Sequence, residues 1–597
     1  MSSGGINKRE WWKEAVVYQI YPASFLDTNG DGWGDVPGIT AKLDYLKDLG
    51  VDIVWTSPIY KSPQADMGYD ISDYNDIDHR YGTLEDVDHL IAELKKRGMK
   101  LMMDLVVNHT SEEHAWFLES RSSKDNPKRD WYMWRPPKYD KDGNRQPPNN
   151  WAQILGEMNS AWTWDEKTGE YYLSLFTPEQ PDLNWENPDV RAAVHDVLRF
   201  WLDRGVSGFR MDVINLISKV PELPDAGIVA PDHEYQPGFK YFANGPRLHE
   251  YLVDMKKEVL SKYDTITVGE MPFVRDENEI LKVVSTQEGV LNMIFIFELV
   301  DIDNVPGSFR LTLQEWDAKQ IKHCMSRWQR LMIDRDGWNS LFCENHDNPR
   351  SVSRYTDDGD EYRELGAKLL CMMQTTLSGT LYVYQGEELG MRNFPYEWDP
   401  SVEYKDVESI NYWRKMNEMY PNDEEKLAHA RKVLHYKARD HARTPMQWDA
   451  SLNSGFCPPD IKPWMRVNDD YKTVNAAAQM SDSKEAQAPN SDQLTVRQFW
   501  QRGLDHRKQH KDVFVYGDFA LVDEENDKIF AYRRFTDGEN WIVVLNFSGE
   551  SVEWEIPQDT KVKMWCAGNY TSGKPDKAMS GRIEVRPWEG LLGILET

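Results

Sequence analysis

The chain alternates short apolar runs with segments of helical periodicity, and this alternation limits its fold more than any other feature. Segments such as Ile39–Leu49 and Leu84–Arg97 lie between the runs and carry apolar residues at helical spacing. Strands that alternate with helices predict a parallel sheet, and eight such units predict an α/β fold, the (β/α)8 TIM barrel. The eight predicted strands are Ala15–Tyr21, Asp52–Pro58, Lys100–Asn108, Gly208–Val213, Thr265–Met271, Asn292–Leu299, Ser340–Asn345 and Thr380–Tyr384.

Several segments extend this barrel. Residues 110–177 are rich in Trp, Pro, Asn and Lys, and a connection of that length predicts an inserted subdomain after the third strand. A second excursion, 391–463, follows the eighth strand, and the polar, Ala-rich segment 472–493 predicts a surface loop or helix. Short β-runs predict a C-terminal antiparallel β domain at 514–597. The barrel itself is predicted to comprise 1–109 and 178–513.

Composition and charge exclude several classes of partner and site. The 597 residues carry a formal net charge of −29, so electrostatic repulsion opposes binding to nucleic acid or to an anionic membrane surface. Five cysteines without a CxxC or Cys/His pattern predict neither a zinc site nor a disulfide framework. The polar N-terminus lacks the apolar region of a signal peptide, and no run approaches the roughly 18 apolar residues of a membrane span. The sequence therefore predicts a cytoplasmic protein.

Polar and titratable residues gather where the predicted strands end. The active site of a (β/α)8 barrel lies at the carboxyl ends of its strands, so these residues predict one site. Arg210 and Asp212 lie two positions apart in a strand and therefore point to the same face. An adjacent guanidinium favours an ionised carboxylate, as a nucleophile requires, although a structural ion pair has the same spacing. The residues at the strand ends are Asn108, His109, Asp212, Glu270, His346 and Asp347.

With these residues in place, the chain resembles the α-amylase superfamily of glycoside hydrolases, closest to the α-glucosidases and oligo-1,6-glucosidases. The likeness runs from Trp11 to Gly590, and five motifs occur in order at predicted strand ends or in the insertion. The resemblance implies an enzyme for small oligosaccharides, such as maltose, isomaltose or sucrose, that needs no organic cofactor; a monomer or homodimer is expected. The motifs are Asp104–His109 (DLVVNH), Gln180–Trp185 (QPDLNW), Gly208–Asp212 (GFRMD), Val268–Met271 (VGEM) and Glu344–Asp347 (ENHD).

The resemblance also implies a retaining mechanism, which uses two carboxyl groups roughly 5–5.5 Å apart. Asp212 is the implied nucleophile, and Glu270 is the implied acid that later serves as base. Asp347 is the implied third carboxylate, which holds sugar hydroxyls in the distorted transition state. Arg210 is expected to tune Asp212, whereas Asp104 is expected to be a structural partner.

A closed pocket for one glucose follows from the same resemblance, and such a pocket makes the enzyme exo-acting. Asp66 and Arg443 would close it around the non-reducing end, and Tyr69 would stack beneath the sugar. The two histidines of the motifs would hydrogen-bond its hydroxyls. The implied substrate-binding residues are Asp66, Tyr69, His109, Arg210, Val213, His346 and Arg443.

Val213 bears on which linkage is cleaved. In the resembling family, a Val after the nucleophile is typical of enzymes that act on α-1,6 bonds, and a Thr at that position is typical of maltases. Asn348, however, departs from the Gln often found after the third carboxylate. Preference for α-1,4, α-1,6 or sucrose bonds therefore stays open, and a strict oligo-1,6-glucosidase (isomaltase) is the first alternative.

Two further alternatives concern the reaction itself. Glucosyl transfer to a sugar acceptor stays open, because water and sugar compete for the same covalent intermediate. The chain has no Arg-Leu-Asp-Arg-Asp run, which disfavours a sucrose isomerase. A catalytically inactive glucosidase-like interaction protein is the alternative from another class, and it predicts a membrane anchor and degraded carboxylates.

The segment Asp27–Asp35 places oxygen-bearing residues at every second position, similar to the first nine residues of an EF-hand loop. Gly38 stands where such a loop has its bidentate Glu, so the segment is not an EF-hand. Its resemblance to a loop of related glucosidases predicts one structural Ca²⁺ or Mg²⁺, with a metal-free turn as the alternative. The predicted ligands are Asp27, Asn29, Asp31, the carbonyl of Trp33, and Asp35.

Overall fold

Eight short parallel strands form one sheet at the centre of the molecule. They are β1 Val16–Ile20, β2 Ile53–Thr56, β3 Lys100–Val106, β4 Gly208–Asp212, β5 Ile266–Glu270, β6 Met293–Phe295, β7 Ser340–Leu341 and β8 Thr380–Tyr384. Their order in the sheet is β6-β5-β4-β3-β2-β1-β8-β7, which makes a nearly closed barrel and confirms the predicted fold. The computed structural model describes residues 8–156, 159–287, 289–480 and 493–596.

A helix follows each strand along the chain. The eight helices are α1 Leu43–Leu49, α2 Leu84–Lys96, α3 Pro188–Arg204, α4 Leu248–Glu258, α5 Glu277–Val284, α6 Ala318–Asp334, α7 Arg363–Thr376 and α8 Val496–Gln509. Local signals set their ends. A capping box between Thr83 and Asp86 begins α2, and Asn187 caps the start of α3. Gly205, in the left-handed conformation with φ 112°, ends α3.

The structure differs from the predicted strands most at β6. The apolar run there was long enough for a strand over 292–299, but only Met293–Phe295 is extended, and Phe297–Val300 forms a helical turn. A short apolar run is compatible with a strand or a buried helix, and its periodicity does not separate the two. In the predicted loop or helix at 472–493, Ala476–Met480 is helical, and 481–492 lie outside the described residues.

A glycine allows β4 to lie close to β5. Gly208 pairs with Ile266, and a Cβ at Gly208 would lie 2.0 Å from the Ile266 carbonyl oxygen. Any other residue would push the two strands apart. The close pairing fixes where Arg210 and Asp212, further along β4, stand relative to the end of β5.

The segment between β3 and α3 has its own small core. It carries the helix Ala115–Ser120 and a three-stranded antiparallel sheet. Its buried side chains, Trp151 and Trp162 among them, form an apolar cluster that also contains Val213, the residue directly after β4. The insertion therefore packs against the barrel at the point where β4 ends. The strands of its sheet, in spatial order, are Trp134–Arg135, Glu170–Leu173 and Trp162–Asp165.

The excursion after β8 is helical, and the C-terminal part is a β-sheet. Arg534, buried in that sheet, donates to Gln329 on α6 at 3.1 Å and to Ser378 at 2.6 Å, which joins the sheet to the barrel. The excursion helices are Val407–Met419, Glu424–Lys437 and Asp440–Arg443. The five-stranded sheet has the order Asp518–Val522, Ile529–Phe535, Asn540–Asn546, Gly590–Leu595 and Val562–Gly568. Within the described ranges, no helix is both long and apolar enough to cross a membrane.

Candidate active site

One buried arginine, Arg210 on β4, holds carboxylates from three neighbouring strands. Its guanidinium donates to Asp104 at 2.6 Å, to Asp212 at 2.7 Å and to Glu270 at 2.6 Å. The strand register explains this arrangement. Asp104 on β3 pairs with Arg210, Asp212 lies two residues further along β4, and Glu270 ends β5. We call these four residues the carboxylate cluster.

The carboxylate cluster contains more acid than base, and this affects its protonation. Burial raises the pKa of Asp104 to about 6, although Arg210 opposes the rise. Burial also raises the pKa of Asp212 well above its usual range, with Arg210 opposing and Glu270 adding to the rise. Arg210 favours ionised Asp212, as the sequence predicts, but burial acts more strongly than the guanidinium does. The cluster therefore binds a proton readily near neutral pH.

Each of the two implied catalytic carboxyls has one oxygen held and one oxygen free. Asp212 Oδ1 accepts from Arg210, and Glu270 Oε2 accepts from Arg210 and from the Val213 N–H at 3.1 Å. In the part of the chain that the structure describes, Asp212 Oδ2 and Glu270 Oε1 accept no hydrogen bond. One free oxygen can attack and the other can carry a proton, which is the division of labour that a retaining glycosidase needs.

Asp347 lies in the opposite electrostatic setting. Its Oδ1 accepts from Arg443 at 2.9 Å and from Arg439 at 3.1 Å, and His346 Nε2 lies 3.0 Å from its Oδ2. Burial alone would raise the pKa of Asp347, but His346 and the two arginines outweigh it and hold that pKa well below the usual range. Asp347 is therefore ionised at neutral pH and can accept hydrogen bonds from sugar hydroxyls.

Arg439 links Asp347 to the two other acids at this side of the site. It donates to Asp66 at 3.1 Å and to Asp406 at 2.6 Å, and Asp406 also accepts from Arg443 at 2.7 Å. All of these side chains are buried except that of Asp347, which is 24% exposed. We call Asp66, Asp347, Asp406, Arg439 and Arg443 the arginine frame.

Tyr69 and His346 connect the arginine frame to the carboxylate cluster. Their rings stack with centroids 5.2 Å apart, and the Tyr69 hydroxyl lies 2.6 Å from His346 Nε2 and 3.2 Å from Asp104 Oδ2. Gln19, on β1, lies 2.7 Å from the other ring nitrogen of His346. Burial lowers the pKa of His346 to about 4, so the imidazole is neutral at pH 7.

His109 lies on the side of the site that the insertion covers. Its Nε2 is 3.2 Å from the Gln180 amide and 3.1 Å from the Tyr69 carbonyl oxygen, and its ring packs on Phe176 with centroids 4.9 Å apart. Burial lowers the pKa of His109 to about 4. Gln180 also donates to Asp66 at 3.1 Å, so this side chain joins His109 to the arginine frame.

The structure thus brings every residue predicted for catalysis and substrate binding to one place, and it adds five that the sequence analysis missed. Two of them carried a usable signal. Asp406 caps the helix Val407–Met419, and Gln180 is the first residue of the QPDLNW motif. The others had no local signal. The missed residues are Gln19, Phe176, Gln180, Asp406 and Arg439.

The predicted cation loop forms a series of tight turns closed by its own side chains. The Asp27 carboxylate accepts from the Asn29, Gly30 and Gly32 N–H groups at 2.7–3.0 Å. Asp35 accepts from Thr28 and caps the helix Val36–Ala41. The oxygen donors are of the kind that Ca²⁺ prefers. No group of three or more Asp, Glu, His or Cys residues in the described ranges converges on a metal position, so the cation stays a prediction.

Known proteins are similar to this chain over nearly its whole length. The family described as alpha amylase, catalytic domain, matches residues 19–561. An α-glucosidase of Schizosaccharomyces pombe is 48% identical over 585 residues, 98% of each chain. An oligo-1,6-glucosidase of Parageobacillus thermoglucosidasius is 49% identical over 585 residues, also 98% of each chain. Among solved structures, an isomaltulose synthase variant of Erwinia rhapontici in complex with D-glucose has a TM-score of 0.89 at 38% identity, covering 99% of this chain and 100% of that one.

Proposed function

The chain belongs to the alpha-amylase catalytic-domain family of glycoside hydrolases, and we propose that it is an exo-acting, retaining α-glucosidase. The proposed enzyme releases α-glucose from the non-reducing end of short α-glucosides. The observation that carries this proposal is the pair of buried carboxyls on one guanidinium, Asp212 and Glu270, each with one free oxygen. The relatives named α-glucosidase and oligo-1,6-glucosidase support the substrate class.

In the first step, Asp212 Oδ2 forms a bond to the anomeric carbon while the glycosidic C–O bond breaks. Glu270 Oε1 gives its proton to the departing oxygen, so the leaving sugar departs neutral and a glucosyl ester of Asp212 remains. Arg210 stays bound to the other oxygens of both carboxyls and holds them in place during this step.

In the second step, Glu270 takes a proton from water, and the water oxygen bonds to the anomeric carbon as the ester to Asp212 breaks. Two displacements on the same carbon return α-glucose with its configuration retained. A sugar hydroxyl in place of water gives transglucosylation by the same bonds. Proposed hydrolysis and transfer therefore differ only in the acceptor.

The arginine frame supports the exo-acting part of the proposal. Asp66, Gln180 and Arg439 are joined by hydrogen bonds at 3.1 Å, and Asp347 and Arg443 continue that wall. A wall of buried, paired charges at this end of the site would block a longer chain beyond the terminal glucose. The hydroxyls of that glucose would exchange hydrogen bonds with Asp347 and the two neutral histidines.

The linkage is proposed only as far as α-1,4 and α-1,6 bonds, because named relatives include both α-glucosidases and oligo-1,6-glucosidases. A strict oligo-1,6-glucosidase is the narrower form of this proposal, with Val213 as the determinant. A cytoplasmic location, a monomeric or homodimeric state and a structural Ca²⁺ or Mg²⁺ remain predictions from the sequence.

Glucose release from maltose, isomaltose and sucrose, measured in parallel at equal enzyme, tests the proposal. We expect release from at least one of them, with the α-anomer of glucose formed first in an NMR time course. Asp212→Asn should lower kcat by at least about 10⁴-fold, because loss of a nucleophile removes the covalent route. Initial release of β-glucose, or an Asp212→Asn variant with more than one-tenth of the activity, would overturn the mechanism.

A further inference from the structure

Val213, the residue that follows Asp212, has a strained backbone. Its φ is 33° and its ψ is 43°, which is the left-handed region. A β-branched residue rarely adopts that conformation, because its Cβ crowds the backbone there. Residues held in such conformations persist only where the surrounding structure fixes them, and they gather at functional sites.

The side chain of Val213 is buried in the apolar cluster that the inserted segment forms with the chain after β4. It is 7% exposed and belongs to the apolar cluster of the insertion, together with Leu175 and Phe176, and not to the clusters of the barrel. Burial of a Val side chain contributes free energy that offsets the backbone strain. The packing of this cluster thus fixes the conformation of Val213, the residue directly after β4.

The same residue touches the acid/base directly through its backbone. The Val213 N–H donates to Glu270 Oε2 at 3.1 Å, and Arg210 donates to the same oxygen at 2.6 Å. With two donors on Oε2, the proton of Glu270 is confined to Oε1, the oxygen that faces the glycosidic bond in the proposed mechanism. The left-handed turn at Val213 therefore aims a donor at the group that must give and take a proton.

We infer that Val213 is a positioning residue for Glu270: its side chain, anchored in the core of the insertion, holds its N–H on Oε2 and so places the acid/base proton on Oε1. This inference rests on the proposed function of Glu270. It differs from the predicted role of Val213 in linkage preference, which concerns the wall that its side chain presents to the leaving sugar.

The sharpest test removes the N–H and nothing else. Replacing Val213 by its α-hydroxy acid through nonsense suppression converts the amide to an ester and keeps the side chain. The same replacement at Val220 is the matched control, because its N–H donates to the Tyr241 carbonyl oxygen at 2.8 Å and does not touch Glu270. Both proteins are the full chain, checked for folding by circular dichroism and Tm.

Two substrates separate a positioning role from a merely structural one. The preferred disaccharide has a poor leaving group that needs the proton of Glu270, whereas α-glucosyl fluoride has a good one. We expect the Val213 ester to lower kcat/KM for the disaccharide about 10- to 100-fold and that for the fluoride less than about two-fold. The Val220 ester should change the two substrates equally. Equal losses on both substrates in the Val213 ester would overturn the inference.

The pH profile gives a second readout. A hydrogen bond to an ionised carboxylate favours the ionised form, so losing the Val213 N–H should move the alkaline limb of kcat/KM to higher pH. The charged groups that face Glu270, namely Arg210, Asp212 and Asp104, are unchanged in the ester. An alkaline limb that stays in place or moves to lower pH would contradict the inference.

Side-chain variants test the anchor. Val213→Gly relieves the strain and frees the N–H to leave Glu270, so it should show the same selective loss on the disaccharide. Val213→Thr keeps the β-branch, so it should keep the wild-type ratio of kcat/KM between the two substrates.

Glu270→Gln separates this inference from the proposed function. If Glu270→Gln leaves disaccharide hydrolysis intact, the proposed function fails. If it abolishes hydrolysis while the Val213 ester behaves like the Val220 ester, only the inference fails.

Discussion

The carboxylate cluster and the arginine frame lie side by side and hold Asp212 and Asp347 in opposite electrostatic settings. In the carboxylate cluster, three acids share Arg210, and burial raises the pKa of Asp104 to about 6 and that of Asp212 well above its usual range. In the arginine frame, two arginines pair with three acids: the pKa of Asp347 lies well below its usual range, whereas burial raises the pKa of Asp66 to about 6. Burial raises the pKa of the acids on both sides, and only where the neighbouring cations outweigh it, as at Asp347, does the pKa fall.

This difference suits the two tasks of a retaining glycosidase. One side must exchange a proton in each step, and three acids that share one guanidinium keep a proton within that cluster. The other side must hold sugar hydroxyls with a permanently ionised acceptor. Tyr69 and His346, which are neutral, separate the two sides and contact both.

Arg439→Ala should break this contrast with the largest effect. Removing one partner of a buried ion pair costs about 3–5 kcal/mol, because the remaining charge is left unpaired. Asp66 and Asp347 each lose a donor, so we expect kcat/KM for the preferred disaccharide to fall by about 10²–10³-fold. The pKa of Asp347 should rise towards its usual value, which moves the acid limb of the pH profile to higher pH.

Arg414→Ala is the matched control for that experiment. Arg414 lies on the excursion helix Val407–Met419, is exposed, and donates only to Asn411 at 2.9 Å among the described residues. We expect wild-type kinetics from it. If Arg439→Ala matched this control within two-fold in kcat/KM, the arginine frame would have no part in binding the sugar.

The sequence predicted the carboxylate cluster well because that cluster is built from strand ends. Asp212 and Glu270 end their own strands, and the register of parallel neighbours in a barrel brings such ends together. Neither step needs knowledge of distant packing. The protonation of Asp212 was less predictable, because a guanidinium two residues away is visible in the sequence and burial is not.

The arginine frame was predicted only in part, and the reason is physical. Asp406 and Arg439 come from the helical excursion after β8, and the residues that they meet depend on tertiary packing. The sequence marks Asp406 as a helix cap, and a cap is the ordinary role of an Asp in that position. Its second role, in pairing with Arg439 and Arg443, appears only when the excursion lies beside β7. The core of the insertion and its contact with Val213 were missed for the same reason.

Asp104→Asn tests the raised pKa in the carboxylate cluster, the other half of the comparison. An acid whose pKa is raised on folding contributes stability below its unfolded pKa, near 3.8, and loses it as pH rises through the folded pKa of about 6. A rise of this size corresponds to about 2 kcal/mol lost from the free energy of unfolding between pH 4 and 7. Urea unfolding of wild type and variant at both pH values measures the loss, which the variant should lack.

Asp505→Asn, which alters an exposed acid on α8, is the control for that titration and should keep the wild-type pH dependence. The same slope in Asp104→Asn as in wild type would mean that Asp104 is not a site of raised pKa. In that case another acid of the carboxylate cluster would hold the proton.

Removal of the predicted cation should change neither the carboxylate cluster nor the arginine frame, and it has the smallest expected effect. The loop Asp27–Asp35 is joined to the excursion by hydrogen bonds from Asp27 to the Phe456 carbonyl and from Trp464 to the Gly32 carbonyl. A cation that binds only the folded protein adds about 2.7 kcal/mol when its concentration is 100 times Kd. EDTA should therefore lower Tm by about 2–5 °C and remove about one equivalent of metal, as measured by mass spectrometry.

Two variants control for this experiment. Asp31→Asn keeps an oxygen for the turn but removes the charge, so it should make Tm insensitive to EDTA. Asp142→Asn alters an exposed acid in the insertion and should leave Tm as sensitive to EDTA as in the wild type. The pH limbs of kcat/KM should stay in place in all three proteins, because the loop contributes no residue to the carboxylate cluster or the arginine frame. If EDTA changed neither metal content nor Tm, the loop would be a metal-free series of turns, and its side-chain hydrogen bonds alone would account for its shape.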